Sequence, residues 1–252
     1  MKRHEMIGIK QAVRLEWMQK TCDLLNEGKS EKEIRAELKS YLSDRMGRGV
    51  FDNRSETARN FSISMLMKTW VTPEKELLPL RDAGLKLIQK ASEDEKSAIH
   101  FCMISAAYPF WYNVSKQAGM LLRLQDIITV KQIVQRTKGQ YGDRPTVDRN
   151  SRFVIRSLYY WELLKESDKA GCYQKGENRE ILSDDIISWI IEAQLHAVPE
   201  GKATLSTLSN DPALFAFKRK DLNGAVIDRN NDRLEVLRNG VSGEIVMVKG
   251  LY

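Results

Sequence analysis

The fold of this chain is decided by residues 129–164, which read TVKQIVQRTKGQYGDRPTVDRNSRFVIRSLYYWELL. Thr129 is a typical capping residue, and we predict that it starts a helix over residues 129–141. A turn follows at residues 142–145, where glycine and proline interrupt the helical pattern. A second and longer helix is predicted over residues 146–164.

Another helix and a pair of strands are predicted on either side of this stretch. Apolar residues at three- and four-residue spacing predict a helix over residues 111–125. Residues 165–182 are predicted to form two short strands around residues 175–178, Lys-Gly-Glu-Asn. Three helices followed by a hairpin are typical of a winged helix-turn-helix.

The longer helix has two different faces. Its apolar stripe is formed by Val147, Val154, Leu158 and Trp161. Arg149, Arg152 and Arg156 recur at helical spacing on another face. Between Thr129 and Arg156 there are seven Lys or Arg and two acidic residues, an excess of five, whereas the whole chain has a net charge of +6. Positive charge is therefore concentrated here, although a solvated helix face would carry a similar stripe.

Arginine suits phosphates and bidentate contact with guanine, so this pattern predicts binding of double-stranded DNA through residues 129–180. In a recognition helix, the residues of the first turns contact base edges. The expected contacts are, in the groove, Arg149, Arg152, Thr146 and Asn150; at phosphates, Arg144, Lys138 and Arg156; and, from the wing, Lys175 and Arg179.

The N-terminal part repeats some of these features. Helices are predicted over residues 7–26, 30–42 and 55–70, and residues 54–60 resemble residues 144–150, located 90 positions later. Each segment starts the third helix of a three-helix run that ends near a tryptophan. The repeat predicts a second, wingless helix-turn-helix with Arg54 and Arg59 as DNA contacts. The alternative is a helical packing domain with a surface arginine pair.

The expected architecture is mainly α, with three domains. They are a helical domain at residues 1–107, a winged helix-turn-helix at 108–182, and a small α/β module at 183–252. The last module is predicted to contain an isoleucine-rich helix over 184–197 and a terminal β-hairpin around residues 239–243. The isoleucines either pack on the winged domain or form an interface. Further helix starts are predicted at the capping residues Ser30, Ser55, Ser92 and Ser183.

The sequence contains no recognisable catalytic motif. The three histidines make no metal-ligand pair, and phosphate-binding glycine loops are missing. Acidic residues cluster only at 93–95 and among Asp228, Asp232 and Glu235, without the pattern of a nuclease. We therefore expect a protein that is not an enzyme, with no metal, no cofactor and no small-molecule substrate.

Composition favours a cytoplasmic protein with a polyanionic partner. The pI is about 9.1, and neither a signal peptide nor a membrane span is recognisable. Cys22, Cys102 and Cys172 are odd in number and far apart, which fits reduced thiols.

Residues 142–149, GDRPTVDR, together with 154–158 and 161–164, resemble the winged-helix part of small accessory proteins in bacterial anti-phage operons. The family that the chain resembles is BrxA of BREX defence systems, over about residues 8 to 165. The resemblance does not extend to the segment from Ser183 onward. It implies a DNA-binding subunit that works beside a methyltransferase, an ATPase or a nuclease encoded elsewhere, with other proteins of the operon as partners.

Two other functions fit the same sequence. A winged helix can bind protein, and the isoleucine-rich helix and terminal hairpin favour a scaffold subunit. A transcriptional regulator would dimerise on a palindrome, although no dimer helix is evident in the sequence. RNA is an alternative polyanion, without a recognisable RNA-binding module.

Overall fold

The computed structural model describes residues 3–43, 55–239 and 243–250. The fold is mainly helical, as the sequence predicts. Its helices are α1 (Leu15–Asn26), α2 (Glu31–Tyr41), α3 (Glu56–Leu66), α4 (Leu78–Ile88), α5 (Glu93–Ala107), α6 (Pro109–Leu122), α7 (Val130–Tyr141), α8 (Pro145–Tyr160), α9 (Asp184–Ala197), α10 (Leu205–Ser209) and α11 (Gly224–Asn230). Its strands are β1 (Ile128–Thr129), β2 (Leu164–Glu166), β3 (Cys172–Lys175), β4 (Arg179–Ile181), β5 (Lys202–Thr204), β6 (Phe217–Arg219), β7 (Leu234–Asn239) and β8 (Gly243–Val248).

The strands form three small sheets. β3 lies between β1 and β2 in an antiparallel sheet, and β1 immediately precedes α7. β4 pairs with β6 in a parallel two-stranded sheet. In the third sheet β8 lies between β5 and β7, and the β7–β8 hairpin is the terminal hairpin that the sequence predicts. The centre of its turn, residues 240–242, lies outside the described residues.

Helix starts follow the capping residues predicted from the sequence. Ser30, Ser92 and Thr129 each accept a hydrogen bond from the backbone three residues later, and the Glu or Gln there closes a capping box. Ser55 and Ser183 accept the same kind of bond at the starts of α3 and α9. These starts are confirmed because the interaction is local and satisfies otherwise unpaired N–H groups.

The first helix starts later than predicted, at Leu15 instead of residue 7. Gly8 has a φ of +59°, and a Cβ there would lie 2.9 Å from the ring of Tyr108. The backbone N–H of Val13 donates to the Ser157 hydroxyl at 3.0 Å. Contacts with distant residues thus hold residues 7–14 in a non-helical conformation that the local apolar pattern does not reveal.

The helix predicted over residues 146–164 is shorter at its C-terminal end. α8 ends at Tyr160, and Glu162 adopts a left-handed conformation with a φ of +60°. The N–H of Leu163 donates to the Leu158 carbonyl at 2.9 Å, which closes the end of the helix. Leu164 already belongs to β2.

The hairpin after α8 has its turn at a different place from the one predicted. β2 pairs with β3, so the turn spans residues 167–171 and uses Gly171 at a φ of +75°. The predicted turn at residues 175–178 instead holds the end of β3 and the connection, residues 176–178, to β4, which pairs with β6. Gly176 is pressed against the Glu162 carbonyl, where a Cβ would lie at only 1.9 Å.

A continuous hydrophobic core contains residues from all three predicted segments. α5 packs along α9, which joins the segment at 1–107 to the segment at 183–252. The isoleucines of α9 are all buried in this core: Ile186, Ile187, Ile190 and Ile191. The expected packing of this helix on the winged domain is wrong, because α9 packs instead on α4 and α5 of the N-terminal segment and on α11 and β8.

Candidate nucleic-acid interface

The inner face of α8 is fixed by apolar burial and by two long-range hydrogen bonds. The predicted apolar stripe is fully buried: Val147, Val154, Leu158 and Trp161. The Trp161 indole donates to the Val13 carbonyl at 3.0 Å, and Ser157 accepts from the Val13 N–H. The Trp161 ring lies 5.4 Å from that of Trp111. The helix is therefore held rigidly, with its opposite face toward solvent.

The outer face carries the predicted arginine stripe. Arg149 and Arg152 are exposed, Arg156 is half-buried, and Thr146 is exposed in the first turn. Arg144 is exposed at the N-cap position, where it donates to the Tyr141 carbonyl at 2.8 Å. The structure thus brings these five side chains together along one helix and its N-terminus.

Two carboxylates lie among these cations. Arg152 Nε donates to Asp148 at 2.5 Å, and Lys138 lies 2.8 Å from Asp143. The hydrogen bond to Asp143 raises the pKa of Lys138, so this lysine stays charged. Arg149 has no carboxylate within ion-pairing distance among the residues that the structure describes. Its charge is consequently available to a partner without breaking an existing pair.

The β2–β3 hairpin lies beside the C-terminal half of α8. The ring of Tyr159 on α8 lies 6.0 Å from that of Tyr173 on β3. Burial raises the pKa of Tyr173, and the neighbouring Arg156 partly opposes this rise. These contacts fix the hairpin against the helix.

The hairpin supplies two exposed lysines that the sequence analysis missed, Lys165 and Lys169. They were overlooked because the turn was predicted at residues 175–178. The signal that could have found them is the run at 167–171, Ser-Asp-Lys-Ala-Gly, which has the composition of a turn. Lys131 and Arg136 on α7 are also exposed and add to the positive surface.

Three residues predicted to contact DNA do not lie on the outer face of α8 or at the hairpin turn. Asn150 is 4% exposed and belongs to the inner face of α8, one turn after Val147. Arg179 lies in β4, where it donates to the Trp161 carbonyl at 3.0 Å and pairs with Asp94 at 3.4 Å. Lys175 ends β3 on the side away from the hairpin turn. The assignment of Arg179 and Lys175 to a wing tip is therefore wrong, because the tip is at 167–171.

The N-terminal pair of arginines is only partly described. Arg54 lies outside the described residues. Arg59 is half-buried and donates to the Ser43 carbonyl at 3.0 Å, just beyond the end of α2. A structural role for Arg59 follows from this bond, since it connects the third helix to the second.

The described part of the chain contains no group of three or more His, Cys, Asp or Glu residues placed to hold a metal ion. Its helices are all too short or too polar to cross a membrane. Comparison of the chain with models of protein families, with curated proteins and with solved structures found no match in any of the three.

Proposed function

We propose that this chain binds double-stranded DNA, with α8 in the major groove and the β2–β3 hairpin beside it. The observation that carries the proposal is the row of Arg149, Arg152 and Arg156, the first two exposed and the third half-buried, on a helix whose other face is buried. The major groove admits an α-helix, and arginines on its outer face can reach base edges and phosphates there.

The order of elements supports this proposal. α6, β1, α7, α8 and the β2–β3 hairpin follow one another as the elements of a winged helix-turn-helix do, with β1 completing the sheet of the hairpin. In helix-turn-helix proteins the second helix of the pair enters the major groove. The resemblance to BrxA adds the further proposal that the chain serves as an accessory protein in bacterial phage defence.

The net positive charge of this region also supports DNA binding. Residues 129–175 carry ten Lys or Arg and five Asp or Glu, an excess of five out of a net charge of +6 for the chain. Binding to a polyanion releases counterions, and each phosphate contact contributes a slope of about −0.9 to the logarithm of affinity against the logarithm of salt concentration. DNA affinity should therefore fall steeply as salt is raised.

The test is a fluorescence-anisotropy titration of a duplex of roughly three helical turns and of its single strand, each at several salt concentrations. The wild-type chain should bind the duplex with a steep salt dependence. Arg149→Ala with Arg152→Ala should weaken binding by about tenfold or more and lower the slope by about two, because two charged contacts are lost.

The matched control is Lys86→Ala with Arg229→Ala, which removes two exposed cations from α4 and α11. This control should bind as the wild type does. Equal affinities and slopes for the two double variants, with both folded, would exclude α8 as the DNA-binding helix. If the chain binds the single strand more tightly than the duplex, single-stranded DNA is the preferred ligand.

Docking of a partner protein is a second candidate function. Three apolar side chains are exposed where α6 leads into α7: Met120 at 38%, Leu124 at 75% and Ile127 at 47%. Exposed apolar groups of this kind occur at protein interfaces. The isoleucines of α9 no longer support this function, because they are buried in the chain's own core. If the wild-type chain does not bind DNA even at low salt, docking becomes the better proposal.

A further inference from the structure

A small pocket with a strongly positive lining lies on the side of the hairpin sheet away from the turn. It has a volume of about 270 Å³ and lies between the end of α6, the end of β3, residues 209–211 and β6. Its charged lining consists of Arg123, Lys175, Lys218, Arg219 and Asp211. Four cations therefore share one pocket with a single carboxylate.

That carboxylate is turned toward the protein interior. Asp211 Oδ2 accepts from the Tyr112 hydroxyl at 2.9 Å and from Gln194 Nε2 at 2.7 Å. Its Oδ1 accepts from the Ala213 N–H at 2.9 Å. Burial lowers the pKa of Arg219, and Asp211, which does not pair with it, is one of several groups that partly oppose this lowering. Both carboxylate oxygens are thus occupied, and none of the pocket cations is paired with them.

The two arginines donate to neutral acceptors. Arg123 donates to the Asn210 carbonyl at 2.6 Å. Arg219 donates to Gln194 Oε1 at 3.0 Å and to the Leu208 carbonyl. These bonds hold the guanidinium groups in place without neutralising them. Further N–H donors remain on each guanidinium for a ligand.

The two lysines repel one another. Burial, and then the charge of Lys218, lower the pKa of Lys175. Glu180 is the register neighbour of Lys218 across the β4–β6 pair, but the two do not come within ion-pairing distance in the described structure. An anion between the ammonium groups would relieve this repulsion.

Close packing fixes the geometry of the pocket. Gly119 on α6 is pressed against the Pro212 carbonyl, where a Cβ would lie at 1.8 Å. Arg123 lies one turn later, at the C-terminal cap of α6, and is therefore held at the pocket. Phe215 and Phe217 provide an apolar wall. The site is thus suited to a ligand with an anionic group and a small organic part.

We propose that this pocket binds a small phosphomonoester, with its phosphate group between Arg123, Lys175, Lys218 and Arg219. Arginine binds phosphate through paired N–H donors and lysine does so as a point charge. The volume is slightly below the usual range of small-molecule sites, so the ligand should be no larger than a nucleoside monophosphate. This inference does not depend on DNA binding by α8.

The test measures thermal unfolding and isothermal titration calorimetry with inorganic phosphate and adenosine monophosphate. Adenosine, and chloride at matched ionic strength, serve as controls. Both phosphate compounds should raise the Tm, because a ligand that binds only the folded state stabilises it, and adenosine should not. Arg123→Gln with Lys218→Gln should weaken calorimetric affinity by about tenfold or more, since two charge-assisted contacts are lost.

Lys86→Gln with Arg229→Gln is the matched control and should keep the wild-type affinity. The pocket variant keeps Lys175 and the buried Arg219, so its Tm without ligand should remain close to that of the wild type. The absence of any response in the wild type, or an equal loss in both double variants, would overturn the proposal.

Measurements of duplex binding by the two variants distinguish the pocket from the α8 surface. The pocket variant should bind duplex DNA with the affinity of the wild type but should have a lower affinity for adenosine monophosphate. If it instead loses duplex binding and the wild type ignores small phosphates, the pocket is part of a DNA path and the proposal fails. Loss of duplex binding by the α8 variant alone leaves the pocket unaffected.

Discussion

The two three-helix regions of this chain, α1–α3 and α6–α8, begin their third helices with similar sequences and use them differently. Arg59 in α3 donates to a backbone carbonyl of its own region and is half-buried. Arg149, at the corresponding position of α8, is exposed and has no carboxylate partner among the described residues. After α8 the chain forms a hairpin, whereas α3 continues into a single π-helical turn at Met67–Val71.

A short repeated motif therefore does not by itself carry a function. The charge of an arginine becomes available to a partner only when the fold leaves it exposed and unpaired. The second region has both conditions, and a hairpin with lysines lies alongside. A role for the first region in DNA binding therefore remains a prediction from the sequence repeat.

The difference between the two regions can be tested by removing one arginine from each. Arg149→Ala should reduce duplex affinity by about 1–3 kcal/mol, because an exposed contact to phosphate or base is lost. Arg59→Ala should leave affinity unchanged, since its guanidinium is bound to the Ser43 carbonyl. Anisotropy titrations at one salt concentration measure both. An equal loss for the two variants would show that α3 is a second DNA-binding helix.

The two tryptophans that follow these helices offer a test on stability. The Trp161 indole donates to the Val13 carbonyl, whereas the buried Trp70 Nε1 has no hydrogen-bond partner in the described structure. Replacement by phenylalanine leaves a cavity at either site. Trp161→Phe should cost about 1–2 kcal/mol more than Trp70→Phe, because it also leaves a buried carbonyl without its donor.

Urea unfolding followed by circular dichroism measures this difference in the free energy of unfolding. Unchanged m-values in both variants ensure that the same transition is compared. If Trp70→Phe is as destabilising as Trp161→Phe, the bond to Val13 does not distinguish the two regions.

The smallest expected effect is an increase in duplex affinity. Asp148→Asn removes a negative charge from the outer face of α8 and frees Arg152 from its ion pair. Duplex affinity should rise by a few-fold, because one repulsive charge near the phosphates is lost. Glu56→Gln makes the matching change in the first turn of α3 and should leave affinity as it was. A fall in affinity for Asp148→Asn would mean that Asp148 positions Arg152 for binding.

Local signals in the sequence predicted much of this fold. Ser30, Ser92 and Thr129 mark helix starts because each side chain satisfies backbone groups within its own first turn. The apolar stripe of α8 predicted its buried face, whereas Asn150, which was expected to contact DNA, is buried and cannot do so. The terminal hairpin was predicted from alternation within its two strands.

Interactions between distant residues decided the remainder. The late start of α1 depends on Val13 meeting Ser157 and Trp161, more than 100 positions away. The hairpin turn lies at residues 167–171 instead of at the predicted 175–178, because β4 pairs with β6 and not with β3. Pairing of this kind depends on which surfaces the whole chain buries, so a local pattern does not contain it.

The sequence alone predicted a helix with an apolar face and an arginine face over residues 146–164, which the structure shows at Pro145–Tyr160. Which cations share a surface depends on the tertiary structure. It left Arg149 exposed, bonded Arg59 to the end of α2, and brought Arg123 and Lys218 into one pocket. The physical reason is that helix periodicity acts over a few residues, whereas burial and charge exposure are set by contacts across the whole chain.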